Sequence, residues 1–117
     1  MSWGALFKNP AGPLHVTIIG CGKSKLPGKH RAEDLYTGGL FRASLEYAKR
    51  TSDAVYIVSA NYALLELGDV VESYDLVITE LSKTSREIWA QDVIRTLLSK
   101  LQGAPFELTL LPSKEYV

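Results

Sequence analysis

The sequence has a single cysteine, two histidines and no net charge, with 13 Lys+Arg against 13 Asp+Glu in 117 residues. One cysteine cannot form an internal disulfide, and a reduced thiol in a cytoplasmic protein is the simple expectation. A lone Cys21, with His15 and His30 well apart, does not make a zinc site, so neither a metal nor another cofactor is expected. No apolar run approaches the ~18 residues that a membrane span needs, so no membrane partner is expected. The opening stretch MSWGALFKNPAGP lacks a basic start followed by an apolar segment, so no secretory signal is read there. Repeats and low-complexity tracts are missing. So are the aromatics interleaved on a basic strand that mark RNA-binding sheets.

What is present is one domain's worth of ordinary globular chain, 46% hydrophobic and 22% charged. The zero net charge hides an asymmetry. Residues 1–50 hold eight Lys/Arg and three Asp/Glu, whereas residues 51–117 hold five and ten. Lys23, Lys25, Lys29 and Arg31 form a basic cluster with His30 and no acid between positions 21 and 32. That cluster suits a phosphate or a nucleic-acid backbone, or is simply a solvated loop.

Residues 1–14 read as an irregular lead-in and residues 15–117 as a single domain. His15 to Ile19 is a β-branched run ended by Gly20, a strand signal. Residues 20–39 contain five Gly and one Pro, which predicts a long loop. Leu40 to Arg50 suits a helix with Leu40, Ala43 and Tyr47 on one face. Ala54 to Ser59 reads as a strand covered on both faces. Asn61 to Leu67 reads as a short helix stopped by Gly68, and the apolar pieces 70–71 and 76–78 are ambiguous between strand and loop. Thr84 with Glu87 fits a capping box. It opens a helix carrying Ile88, Trp89, Val93, Ile94, Leu97, Leu98 and Leu101, closed by Gly103. Phe106 to Leu111 is a third strand. The order predicts an α/β fold with three layers, a mainly parallel, Rossmann-like sheet flanked by helices.

In such sheets ligands bind beyond the carboxyl ends of the strands. The first strand delivers Gly20, Cys21, Gly22, Lys23, Ser24 and Lys25 to that edge. A phosphate-binding P-loop needs Gly where Thr17 stands, and a dinucleotide fingerprint needs Gly where Lys25 stands, so both motifs fail. A Gly-rich turn exposing backbone N–H groups beside two lysines remains, a reasonable anion cradle. Within it, Cys21 is either a nucleophile, its thiolate favoured by ammonium groups and N–H dipoles, or a small buried residue at a strand end. Lys25 binds an anion or polarises a substrate, or is merely solvated. His30 reads as an exposed loop residue and His15 as structural. Glu33 and Asp34, ahead of Tyr36, are placed to neutralise the lysines or to bond a base or ribose. Ser59 and Asn61 follow the second strand to the same edge, and Tyr74 with Asp75 offers a third position if 76–78 joins the sheet.

Several of these segments occur in one order: Cys21-Gly22-Lys23-Ser24-Lys25, Asp34 to Thr37 with Leu40-Phe41-Arg42, Ile57 to Leu65, Tyr74-Asp75-Leu76, and Arg86 with Trp89-Ala90. In this the chain resembles an uncharacterised bacterial and phage domain whose members carry the label peroxide stress protein, YaaA-like. The resemblance covers roughly residues 15–117. It departs at Asn61-Tyr62-Ala63, where members read Lys-Tyr-Gly or Lys-His-Gly. Members also continue past a segment like 111–117 into a further helix and a Gly-rich, Gln-containing stretch, which implies a domain lacking a C-terminal portion. The spacing from Cys21 to Lys25 is similar to the core motif of archaeosine synthase, although the rest of that motif is not matched. This likeness implies nitrile or base chemistry in which Cys21 attacks carbon to give a thioimidate.

Three functions follow as expectations. The first is an enzyme acting on a nucleobase or nucleotide-like molecule, with Cys21 as nucleophile and Lys25 beside it. There Gly20, Gly22, Lys23, Ser24, Asp34, Tyr36, Ser59, Asn61, Tyr74 and Asp75 bind the ligand. The second is a nucleic-acid-binding stress protein. The third is an interaction domain with a vestigial site, whose uncovered apolar surface makes it a homo-oligomer.

Overall fold

A computed structural model describes residues 12–76 and 78–112. The lead-in up to residue 11 and the segment 113–117 lie outside the described residues.

Strand β1 (Leu14–Gly20) is central, pairing in parallel with β3 (Ala54–Ser59) on one side and with β6 (Phe106–Leu111) on the other. Strand β4 (Ala63–Glu66) adds antiparallel to β3, giving a four-stranded, mainly parallel sheet in the order β4-β3-β1-β6. A separate two-stranded ribbon joins β2 (Lys29–Arg31) to β5 (Val70–Glu72). The helices are a single turn α1 (Ala32–Leu35), then α2 (Gly39–Thr51) and α3 (Lys83–Leu101), with a 3-10 turn at Ile78–Glu80.

The period of two along each strand sorts the core into two clusters. Leu14, Val16 and Ile18 of β1 pack with Tyr56, Leu64, Leu97 and Leu101, the last two from α3. Ile19 and Cys21 pack with Ile57, Leu65, Leu35, Tyr36 and, from α2, Phe41, Leu45 and Ala48. Both sheet faces are therefore covered by helix, which is why β1 and β3 read as nearly continuous apolar runs.

Four local expectations are corrected. Residues 61–67 form no helix. Ser59 Oγ accepts the N–H groups of Asn61 and Tyr62, the chain reverses, and Ala63 takes a left-handed φ of 62° before β4 runs back along β3. Neighbouring Leu64 and Leu65 are both buried because in a strand they point into opposite clusters. The 20–39 segment is not all loop, since it holds β2 and α1, and Lys25 bridges to Tyr36. Helix α2 buries Phe41, Leu45 and Ala48, while Leu40 and Tyr47 are exposed. Helix α3 starts before Thr84. Ser82 is the cap and its Oγ accepts the Ser85 N–H at 3.1 Å. Only Leu97 and Leu101 of its expected stripe are buried, whereas Ile88, Ile94 and Leu98 are exposed.

Candidate functional site

The carboxyl ends of β1 and β3 bring together residues far apart in sequence. The Cys21 N–H donates to the Val58 carbonyl at 3.1 Å, extending the β1–β3 ladder by one bond and fixing Cys21 beside Ser59. The Gly-rich loop then folds back onto the end of α1. Leu26 N–H donates to Leu35 and Thr37 N–H to Ser24, which anchors Tyr36 beneath the loop. From the other side, the segment after β5 is held by the Ser73 N–H on the Gly28 carbonyl and presents Tyr74.

Cys21, Tyr36, Ser59 and Tyr74 meet there. The Tyr74 hydroxyl lies 2.8 Å from that of Tyr36 and 2.7 Å from Ser59 Oγ, and it donates to Cys21 Sγ at 3.5 Å. Tyr36 and Ser59 are fully buried and Cys21 nearly so. Burial first, then the negative charge Cys21 can carry, pushes the Tyr36 phenol up to about 12 and the Tyr74 phenol higher still. Both therefore remain hydrogen-bond donors at neutral pH. The Lys25 ammonium caps the group from solvent, 4.4 Å from the Tyr74 ring centre and 5.9 Å from that of Tyr36. It also donates to the Lys23 carbonyl at 3.1 Å.

Among the described residues, two clefts flank the loop. The larger, about 340 Å³, lies between the carboxyl ends of β1 and β6 and the start of α2, and Gly20, Gly22, Ser24, Gly38, Phe41 and Leu111 are among its lining residues. Chain connections leave β1 toward β3 on one side and reach β6 on the other, so the cleft occupies the point where strand order reverses, a usual ligand position in parallel sheets. Gly38 caps α2 with no side-chain bond to the helix. The smaller cleft, about 260 Å³, is lined by Lys23, Lys25, Asp75 and Glu80.

The candidate residues thus divide. Cys21, Lys25, Tyr36, Ser59 and Tyr74 form one cluster. Gly20, Gly22 and Ser24 line the larger cleft, and Lys23 and Asp75 the smaller one. Asp34 is exposed on α1 and lines neither cleft. Asn61 is exposed at the β3–β4 turn and contributes its backbone N–H rather than its side chain. Cys21 lines neither of these clefts, because its thiol turns inward to the phenols. His15 bonds Thr109 and His30 bonds the Pro27 carbonyl, so each has a structural partner. The basic cluster is partly neutralised, since Arg31 pairs with Glu33 at 2.7 Å.

Sequence reasoning missed Tyr62, which stands edge-on to Tyr74 at 5.5 Å and donates to the Glu72 carbonyl. It also left out Gly38, Gly39, Phe41 and Ser44, which line the larger cleft from the start of α2, although the Gly38-Gly39 pair ahead of the expected helix was an available signal. Among the described residues no group of three or more His, Cys, Asp or Glu could hold a metal ion, and no helix is long and apolar enough to cross a membrane.

A family model described as "Family of unknown function (DUF6884)" matches residues 16–117, and the chain belongs to that family. No curated protein matches, and no solved structure matches.

Proposed function

We propose, for this member of a family without an assigned role, an enzyme or enzyme-derived domain acting on a nucleobase- or nucleotide-like molecule. The observation that carries the reading is the Gly-rich loop that bears Cys21, with its two flanking clefts. The larger lies at the strand-order reversal of a mainly parallel sheet and is lined by Gly20, Gly22 and Ser24, and the smaller is lined by Lys23, Lys25 and Asp75. We read the fold as a Rossmann-like three-layer domain of YaaA-like type, working in the cytoplasm, in a phage or stress-response setting.

In this reading Cys21 is the nucleophile. With a nitrile-bearing 7-deazaguanine, Sγ bonds to the nitrile carbon, the triple bond becomes a C=N bond, and the thiol proton passes to nitrogen to give a thioimidate. Lys25 and Lys23 hold an anionic group in the smaller cleft, and Asp75 bonds a polar edge of the ligand. The inward-facing thiol requires the ligand to reach it past Lys25 and Tyr74.

A nucleic-acid-binding reading draws on the exposed side chains of Lys23, Lys29 and Arg31. The Arg31–Glu33 pair and the acids beside Lys23 weaken it, since they reduce the charge available to a phosphate backbone.

A thermal-shift panel tests both readings: nucleobases including 7-deazaguanine nitriles, nucleosides, nucleotides and short duplexes at two salt concentrations. A ligand that prefers the folded state raises the melting temperature by mass action. A salt-tolerant shift from one small molecule is the expected result. A shift from duplexes alone, lost at high salt, transfers the assignment to nucleic-acid binding. No shift from any ligand overturns both and leaves a vestigial interaction domain.

A further inference from the structure

We propose that Tyr74 is a positioning residue for Cys21. Its phenol, oriented by Ser59 and Tyr36, holds the sulfur and stabilises the negative charge that sulfur carries as a nucleophile. The inference rests on the reading of Cys21 given above.

The direction of each hydrogen bond follows from the number of protons and lone pairs. Ser59 Oγ already accepts the N–H groups of Asn61 at 3.3 Å and Tyr62 at 3.2 Å, which fills its two acceptor positions. Its single proton is left for the Tyr74 oxygen 2.7 Å away. Tyr74 has one proton, donated to Cys21 Sγ. With that proton committed, the 2.8 Å contact to Tyr36 is a bond donated by Tyr36. Three donors therefore run one way: two into the Tyr74 oxygen, and Tyr74 into sulfur. Bonds accepted at a hydroxyl oxygen strengthen the bond it donates, and a low-dielectric setting enhances the effect.

Other groups reinforce this direction. Burial keeps both phenols protonated well above neutral pH, so both remain donors. The Lys25 ammonium over the Tyr74 ring draws electron density from the phenol and makes its O–H a stronger donor toward sulfur. Lys23, Asp75 and Glu80 stand around the adjoining cleft, and the Tyr62 hydroxyl is committed to Glu72. Tyr74 is thus assigned to the nucleophile rather than to direct contact with the ligand.

Because Cys21 is the sole cysteine, alkylation of the intact protein by iodoacetamide, followed by mass spectrometry, reports one site. The rate is measured from about pH 6 to 9 for wild type, Tyr74→Phe, Tyr36→Phe and Tyr62→Phe. Near-ultraviolet circular dichroism confirms that each variant is folded. Tyr74→Phe keeps the ring and loses the donor; the expected result is a rate about tenfold lower at neutral pH and a profile moved to higher pH. Tyr36→Phe moves it the same way by less, and Tyr62→Phe leaves it in place. Should Tyr74→Phe not fold, Tyr36→Phe decides, since it removes a donor into Tyr74 from the far side. A Tyr74→Phe profile equal to wild type, or faster alkylation with an unmoved profile, overturns the Tyr74 assignment and leaves Cys21 as nucleophile. A wild-type profile equal to that of the urea-unfolded chain overturns the nucleophile reading as well.

Discussion

The indole N–H of Trp89 donates to the carbonyl oxygen of Ser59 at 2.8 Å, tying the second turn of α3 to the last residue of β3. The same serine gives its hydroxyl to Tyr74 and receives two backbone N–H groups from the β3–β4 turn. One small buried residue thereby joins a helix, a turn and the phenol–thiol cluster. Trp89→Phe keeps most of the apolar ring but withdraws the donor from a buried carbonyl. A loss of about 1 kcal/mol is expected in urea unfolding. An unchanged midpoint would show that water replaces the indole at no cost.

The buried phenols give the protein an alkaline limit. Raised values in the folded state mean that unfolding releases protons. The stability tied to Tyr36 is whole below its ordinary value of 10.0 and is lost as pH climbs toward about 12. Tyr74 acts in the same direction over a higher range. Phenolate absorbance during a pH titration is expected to show two tyrosines that ionise only as the fold is lost. Tyr36→Phe should flatten the decline in melting temperature above pH 10.0.

An acid counterpart sits at Glu33. Hydrogen bonding from Lys49 at 2.7 Å, aided by the nearby Arg31 and Arg42 charges, holds its carboxyl below the ordinary value of 4.5 despite an opposing contribution from burial. A depressed value stabilises the fold above pH 4.5, and that contribution disappears as pH falls through the lowered value. The partners are exposed, so Glu33→Gln is expected to cost less than about 1 kcal/mol at neutral pH. It should also reduce the loss of melting temperature below pH 4.5, and a wild-type acid profile would count against the pairing.

Helix α3 supplies a test of register. Ser82→Ala removes the oxygen that accepts the Ser85 N–H, and about 1 kcal/mol of stability is expected to go with it. Thr84→Ala, already inside the helix, should be neutral or slightly stabilising, because Ala has the higher helix propensity. The reverse order, read by urea unfolding, would restore Thr84 as the cap.

That example shows where sequence reasoning succeeds and where it stops. The strands at Leu14–Gly20, Ala54–Ser59 and Phe106–Leu111 and the two long helices were legible, because β-branched runs and three-to-four spacing are local signals. Which face of α2 is buried was not, since Leu40 and Tyr47 are as apolar as Phe41 and Leu45 and only packing separates them. Leu64-Leu65 suited a helix until the strand beside it placed the two residues in different clusters. At the site, the Gly- and Lys-rich loop around Cys21 stood out by composition. The convergence of Tyr36 and Tyr74 on that thiol depends on the β2–β5 ribbon folding back over the loop, and no periodicity reports that.

Strand β1 has a first partner that arrives about forty residues later and a second that arrives about ninety residues later. A ribosome emitting this chain therefore exposes β1 and β3 as a pair, with one side of β1 open, until β6 is made. During that interval Val16 and Ile18 form an available template for another nascent chain. The order of synthesis makes the late arrival of β6 the step at which a polysome's worth of this protein is most exposed to chaperone capture.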